Sequence, residues 1–483
     1  MSSRRQVRQW FLRALALVHL VAFLSLGAQI PVLIGSDGLV PATRFLTAYR
    51  ERVPWWELPT IFWWGDSDWL LRTAAAAGAV LSLGLLFGFA PRVLLLMLWA
   101  LYLSFVSAGQ EFFAFQWDNL LLEATFFSLF LAPLQGRALR HSEPHPAAVF
   151  LMKMLVVRLH VESGLAKLFS GDPSWRDLTA MATYYETAPL PTWVGWYAHQ
   201  LPLAVHRATS LLVLVVELLL PWGLFGPRPF RRFAVAGLAA LQCGILLTAN
   251  YGFFNYLTLA LCLWGLDDDD LRAIGLAPKG LVANTARATQ GHWLRGASCW
   301  IAALALLGLS VLPFFAFVPG LRAQATGLRR VMEPWRTLNA YHLFASMTYV
   351  RREVVLERSD DGATWEELHF RYKPGDPAVA PAFVAPHQPR VDFQLWFLLL
   401  RGEPRAAYFF VLLHRLFNKP ASVAELFLES EMVLRPPRFL RLKIYRYRFT
   451  DWRMGWERGR WWHREWIGSS EPIRAEQLQS ALP

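Results

Sequence analysis

The sequence predicts a polytopic α-helical membrane protein of about nine spans, followed by a C-terminal soluble domain of α+β or β-rich character. Three observations predict it. Of 483 residues, 55% are hydrophobic and only 17% charged, where a water-soluble chain carries about a quarter charged residues. Apolar runs, each near the roughly 20 residues that cross a bilayer, recur through the first two thirds. After Leu321 these runs give way to short alternating segments, turn signals and prolines.

The nine candidate spans are Phe11–Ile34, Trp69–Ala90, Arg92–Gly109, Phe112–Leu134, Ala147–Phe169, Leu203–Phe225, Phe230–Ala249, Tyr251–Leu266 and Ala297–Val318. The eighth is short for a full crossing. Arg4, Arg5 and Arg8 precede the first run, but no small-residue cleavage site follows it, so it reads as a retained span. Arginine sets the topology. With the N-terminus inside, the inside connections hold Arg92, then Arg137 and Arg140, then Arg228, Arg231 and Arg232, then Arg272, Lys279, Arg287 and Arg295. The short outside connections near Gln110 and Asn250 carry no basic residue, which is the positive-inside pattern. Nine spans then place the C-terminal part outside.

Three parts result: a membrane domain at 1–320, an extracytoplasmic domain at 321–450, and a Trp/Arg-rich tail at 451–483. In the second part Val350–Glu357 alternates, Asp361-Gly362 follows, and Thr364–Tyr372 alternates again. Asp-Gly between two such runs signals a hairpin, because glycine supplies the positive φ of the turn. Pro374–Pro389 is too proline-rich for a sheet interior. Asp392–Leu400 and Arg405–Phe417 read as amphipathic helices, and Phe439–Phe449 as a strand alternating apolar and basic residues. The tail segment Trp452–Trp466 mixes tryptophan and arginine, which suits an interfacial surface.

Composition also excludes functions. The net charge of +12 comes from membrane-flanking loops and the C-terminal third, with no basic and aromatic groove for nucleic acid. Three cysteines, Cys243, Cys262 and Cys299, sit in apolar runs without CxxC spacing, so no disulfide framework, zinc site or redox centre is expected. Asp267–Asp270 reads as a solvated acidic loop. No metal or cofactor is implied by the residues themselves.

The chemistry-bearing residues concentrate in the fifth span. Lys153, His160 and Lys167 are seven apart and share a stripe, while Arg158 and Glu162, four apart, can pair on another side. Charges within an apolar span face the bundle interior or a wet cavity. Lys153 and Lys167 lie near the ends and could snorkel, whereas His160 is mid-span. Gln116, Asn119 and Glu123 share a face of the fourth span with Asp118 nearby, and either carboxylate could neutralise the cations of the fifth. Glu217 stands alone in the sixth span, protonated or paired with a neighbouring helix. The loop Ser170–Pro202 carries Tyr184, Tyr185, Trp193, Trp196 and Tyr197, an aromatic surface suited to a client.

On these residues the chain resembles the lipase maturation factor family. The similar segments are RLHVESGLAKLFSGDPSWRDLTAMATYYETAPLPTWVGWYAHQLP (Arg158–Pro202), FAFQWDNLLLEATFFSLFLAP (Phe113–Pro133), ANYGFFNYLTLALCL (Ala249–Leu263), NAYHLFASMTYVRREVVLERSDDGATW (Asn339–Trp365), FRYKPGDP (Phe370–Pro377), FVAPHQPRVDFQLWF (Phe383–Phe397) and YRYRFT (Tyr445–Thr450). The resemblance implies a membrane-resident, non-enzymatic helper for maturation of exported lipases, in eukaryotes of the endoplasmic reticulum, with the C-terminal part engaging the client. The Arg/Ala-rich composition points to a bacterial member in the inner membrane. A second resemblance covers SGLAKLFSGDPSW (Ser163–Trp175), which is similar to a pattern of the vitamin K-dependent carboxylase and of horizontally transferred transmembrane domains. It implies an alternative: an intramembrane enzyme acting on a lipid-soluble cofactor, with Lys167 as base and His160 as partner. A lipid-open pocket at Lys167 would favour the enzyme; a packed, ion-paired Lys167 would favour the helper.

Overall fold

The computed structural model describes residues 3–133, 139, 142–277, 293–317, 332–400 and 406–479. Arg137, Arg140, Lys279 and Arg287, which contribute to the topology expectation, lie outside these, as does the expected domain boundary at 320/321.

Helix occupies each of the nine apolar stretches among the described residues: Arg5–Leu33, Asp68–Leu86, Pro91–Ala108, Gln116–Leu131, Pro146–Phe169, Leu203–Leu218, Arg228–Thr248, Phe254–Cys262 and Trp293–Val311. By length and composition, five are suited to cross a membrane: Arg5–Leu33, Asp68–Leu86, Pro91–Ala108, Leu203–Phe225 (with its 3-10 extension) and Arg228–Thr248. Gln116–Leu131 has 16 residues and Phe254–Cys262 has 9, so both fall short of a bilayer's thickness. Pro146–Phe169 is long enough at 24 residues but carries Lys153, Arg158, Glu162 and Lys167, and it is buried along most of its length. That placement is the physical answer to its composition. A charged helix is tolerated where protein rather than lipid surrounds it.

Packing follows sequence order locally, with the Arg5–Leu33 helix against Asp68–Leu86, and Gln116–Leu131 against both Pro91–Ala108 and Pro146–Phe169. Acidic residues lock the N-terminal end. Asp268 accepts the backbone N–H groups of Gln6 and Val7 at 3.0 and 3.2 Å, supplying the acceptor that a helix start lacks. Asp267 and Asp270 form a capping box and pair with Arg228, Arg231 and Arg232. The stretch expected as a solvated loop is therefore a buried, ion-paired clasp. No group of three or more metal-ligating side chains occurs among the described residues.

The C-terminal part holds a four-stranded antiparallel sheet in the order β2-β1-β3-β4, with β1 at Arg351–Ser359, β2 at Glu366–Leu368, β3 at Phe439–Phe449 and β4 at Trp462–Ser469. The expected hairpin is β1–β2, and Gly362 takes φ +78° at its turn. Asp361 caps that turn by accepting the N–H groups of Ala363 and Thr364. The two expected helices are Arg390–Phe397 and Ala407–Asn418. β4 corrects the expectation of a separate tail: residues 462–469 pair along β3 as an edge strand, with Trp462 buried against Phe449. Alternation of large apolar and basic residues suits a half-covered strand as well as a lipid surface, and the residues alone do not separate the two.

Candidate functional site

The ionisable residues of the Pro146–Phe169 helix meet the C-terminal part through a continuous buried network. Arg158 donates to Glu123 at 2.6 Å and to Glu162 at 3.0 Å, and also to the backbone carbonyl of Asn339. Glu123 accepts in turn from the backbone and side-chain N–H groups of Asn339, at 3.1 and 3.0 Å, and from the Tyr341 hydroxyl at 2.8 Å. Glu162 accepts the Tyr341 backbone N–H at 2.9 Å. Every charge is answered by charge or by a directed hydrogen bond, which burial requires. Gln116 and Asn119, expected on the same face, add acceptors for His342 N–H and the Asn339 amide.

Asp118 does not neutralise the fifth span. It forms a bidentate pair with Arg390, at 2.7 and 2.9 Å, and accepts the Tyr102 hydroxyl at 2.5 Å. Arg390 also donates to the Phe112 carbonyl and lies 3.8 Å over the Phe113 ring. Asp118 and Glu123 are both fully buried, five residues apart in sequence, and hold two different C-terminal segments.

Lys167 is packed. Its ammonium donates to both carboxylate oxygens of Glu217, at 2.9 and 2.7 Å, and to the Leu343 carbonyl at 2.9 Å, and it sits 5.2 Å over the Trp175 ring. Glu217 is thereby the partnered carboxylate, not the solitary one. Lys153 is buried as well, donating to the Leu224 carbonyl at 2.7 Å. Snorkelling therefore describes neither lysine, because neighbouring protein covers the helix ends where lipid was expected. His160 is fully enclosed: Nδ1 donates to the Val156 carbonyl at 2.8 Å, and Nε2 accepts from the Gln242 amide at 3.2 Å. Gln242 in turn accepts from Asn255 at 2.8 Å.

The 170–202 loop, expected to face a client, instead seats the C-terminal part. Asp172 accepts the Met347 N–H and Tyr349 hydroxyl. Trp175 donates to the Phe344 carbonyl, Glu186 accepts the Phe449 N–H, and Arg351 reaches the carbonyls of Ala188 and Pro189. Tyr184, Tyr185 and Trp196 are buried and cannot present a client surface; Trp193 is exposed. Their burial follows from aromatic contacts, such as Tyr184 on Phe344 and Trp196 on Trp452 and Trp461. From the sequence alone, an aromatic loop that docks within its own chain looks like one that docks elsewhere.

Two family profiles match the chain in order. The lipase maturation factor transmembrane domain covers residues 6–273, and the lipase maturation factor C-terminal domain covers residues 337–472. The chain belongs to the lipase maturation factor family. Among its relatives, lipase maturation factor 2 of Mus musculus is 34% identical, across 97% of this chain and 83% of the relative. Lipase maturation factor 2 of Homo sapiens is 32% identical, across 97% and 82%. Lipase maturation factor 1 of Homo sapiens is 31% identical, across 97% and 88%. No solved structure matches the chain. The two family domains are the two sides of the buried network, with Glu123, Arg158 and Glu162 on one side and Asn339 and Tyr341 on the other.

Sequence reasoning found the charged residues of the fourth and fifth helices and the Arg158–Glu162 pair, but missed their partners in the C-terminal part. Asn339, Tyr341 and Arg390 lie within segments the family resemblance had singled out, so their importance was signalled without their contacts. Tyr102 carried no signal, because a hydroxyl in an apolar run is unremarkable until its partner is seen.

Proposed function

We propose that this protein is a membrane-embedded maturation factor for exported lipases, acting without catalysis of its own. The observation that carries this reading is the continuous match to relatives named lipase maturation factor, spanning both the helical and the C-terminal parts. The state of Lys167 supports it, since a catalytic amine needs an open proton acceptor and a path to substrate. This amine is committed to Glu217 and Leu343 inside packed protein. Neither the geometry of the described residues nor the relatives favour the carboxylase-like alternative.

The polar residues then act as a rigid frame. They hold the C-terminal part on the helices so that its outer surface is presented to a client in a fixed pose. On the arginine distribution, that surface lies outside the cytoplasm, in the inner membrane of a bacterial cell, a placement that follows from an odd number of crossings. The unit that faces the client runs from about residue 321 through the sheet and includes β4, because β4 completes it.

The test is co-expression of an exported lipase with and without this chain, measuring secreted activity per molecule of lipase. Activity that rises several-fold with the chain supports the reading, and equal activity refutes it. Reporter fusions check the orientation. One active only outside the cytoplasm should work after Thr450 and stay silent after Arg140 or Arg232.

A further inference from the structure

One exposed element plays no part in the buried frame. The Trp452–Arg458 helix leaves Trp452 53% and Trp456 74% exposed, their rings stacked with centroids 6.3 Å apart. Arg453 is exposed beside them, its side chain 83% accessible and paired at 3.3 Å with the exposed Glu457 one turn on, and Arg458 is exposed too. Trp452 packs one face on Trp196 and Tyr197, while Trp456 and the two cations are left to solvent.

The position of this helix says what covers it. Trp452 stacks on Trp196 at 5.9 Å, the Trp196 indole N–H donates to the Thr450 hydroxyl at 3.2 Å, and Gln200 donates to the Thr450 carbonyl at 3.0 Å. Gly455 passes directly over the Trp196 ring, where any Cβ would collide with it. The Trp193–His199 helix beneath is itself fixed at the ends of two candidate membrane spans. Leu203 begins one of them four residues after His199, and Thr192 N–H bonds to the carbonyl of Thr248, the last residue of the other. Leu203, Val205 and Leu247 expose apolar side chains at those span ends, and a row of ring contacts runs from Trp193 through Tyr197 and Trp452 to Trp456.

We propose that the Trp452–Arg458 helix is a membrane-surface foot, lying in the headgroup layer with Trp452 and Trp456 at the acyl boundary and Arg453 and Arg458 on phosphates of anionic phospholipid. Indole rings favour this depth, because they offer an apolar body with one hydrogen-bond donor. Cations at the interface draw anionic headgroups. The foot would tether the sheet to the bilayer plane through β3 and β4, which flank it in sequence. The inference rests on the two spans crossing the membrane and is independent of any client.

The experiment uses the full chain reconstituted in vesicles of phosphatidylcholine, with or without a quarter phosphatidylglycerol. A nitroxide is placed at Trp456→Cys, and separately at Asp361→Cys in the hairpin turn, with Cys243, Cys262 and Cys299 replaced by alanine. Collisions with oxygen and with a water-soluble nickel complex report depth. We expect position 456 to be shielded from nickel at least several-fold more than position 361, and more so with phosphatidylglycerol. Arg453→Gln with Arg458→Gln should remove that lipid dependence. A nickel accessibility at 456 equal to that at 361 overturns the foot, and shielding indifferent to phosphatidylglycerol overturns the anionic contact. If the cysteine-free chain does not fold, a photoreactive benzoylphenylalanine at position 456 of the otherwise native chain decides. Adducts with phospholipid support the proposal, whereas adducts formed only with a co-reconstituted lipase overturn it.

Discussion

Two charged clusters in this protein use the same side-chain chemistry in different surroundings. The inner seam joins Glu123, Arg158 and Glu162 to Asn339 and Tyr341, all buried between helices and C-terminal part. The outer cluster lies on the sheet, where His369 bridges Glu367 at 3.1 Å and Glu429 at 2.9 Å while Arg464 grips Glu367 with two bonds of 2.9 Å. The seam has no water to fall back on, so losing one member strands the rest. The outer cluster retains solvent contact, and its members can be rehydrated. Burial, more than the number of ion pairs, decides what each is worth.

The largest expected effect tests the seam. Arg158→Leu leaves Glu123 and Glu162 buried without their cation, and should destabilise the protein by about 3–5 kcal/mol. The check is thermal unfolding in detergent alongside the amount of protein in the membrane. A variant that melts within a degree or two of the parent would remove the seam from the stability argument.

Within the sheet, backbone geometry should outweigh charge. Gly362 holds φ +78° in the β1–β2 turn, and Gly362→Val should cost about 1–3 kcal/mol because a β-branched residue is strained there. Local protection of Leu356 and Leu368 amides from hydrogen exchange should fall with it. Unchanged protection would mean that the turn relaxes at no cost.

The outer cluster should show itself through pH. Hydrogen bonds that His369 donates to the Glu367 and Glu429 carboxylates raise its pKa above the ordinary value, against the opposing effect of burial. The His369 hydrogen bond and Arg464 lower Glu367 to about 2. The raised histidine stabilises the fold fully below the unfolded value near 6.5 and loses that contribution as pH rises through its folded pKa. The depressed carboxylate stabilises above about 4.5 and loses its share as pH falls toward 2. Stability from the cluster should therefore be greatest between about pH 4.5 and 6.5. His369→Gln should flatten the decline above that window, by roughly 0.5–1 kcal/mol. Melting curves from pH 5 to about 8.5 measure it, and identical pH slopes in parent and variant would dismiss the cluster.

The smallest expected effect is on function at Lys167. Lys167→Arg keeps a cation opposite Glu217 but must fit a larger head into a packed site. The amount of protein should fall modestly, while lipase yield per molecule stays within about twofold. An abundant, folded variant with no maturation activity would return Lys167 to catalysis.

Much of this architecture was legible in the residues. Apolar runs located the nine helical stretches, because a helix must show lipid or protein an apolar surface along its whole length. Asp361-Gly362 marked the hairpin, since glycine supplies the positive φ that the turn takes at that position, and the four-residue spacing of Arg158 and Glu162 announced their pairing. These are local facts, written in spacing and backbone preference. The tertiary structure alone decided which surfaces are covered. Whether Tyr184 and Trp196 face a client or their own chain, whether Asp118 answers a lysine or Arg390, and whether Lys167 is open or closed by Glu217 all depend on residues 50 to 272 positions away meeting in space. Sequence patterns report what a side chain needs, an apolar neighbour or an opposite charge. They do not report which of several qualified partners supplies it, because that choice belongs to the packing of the whole chain.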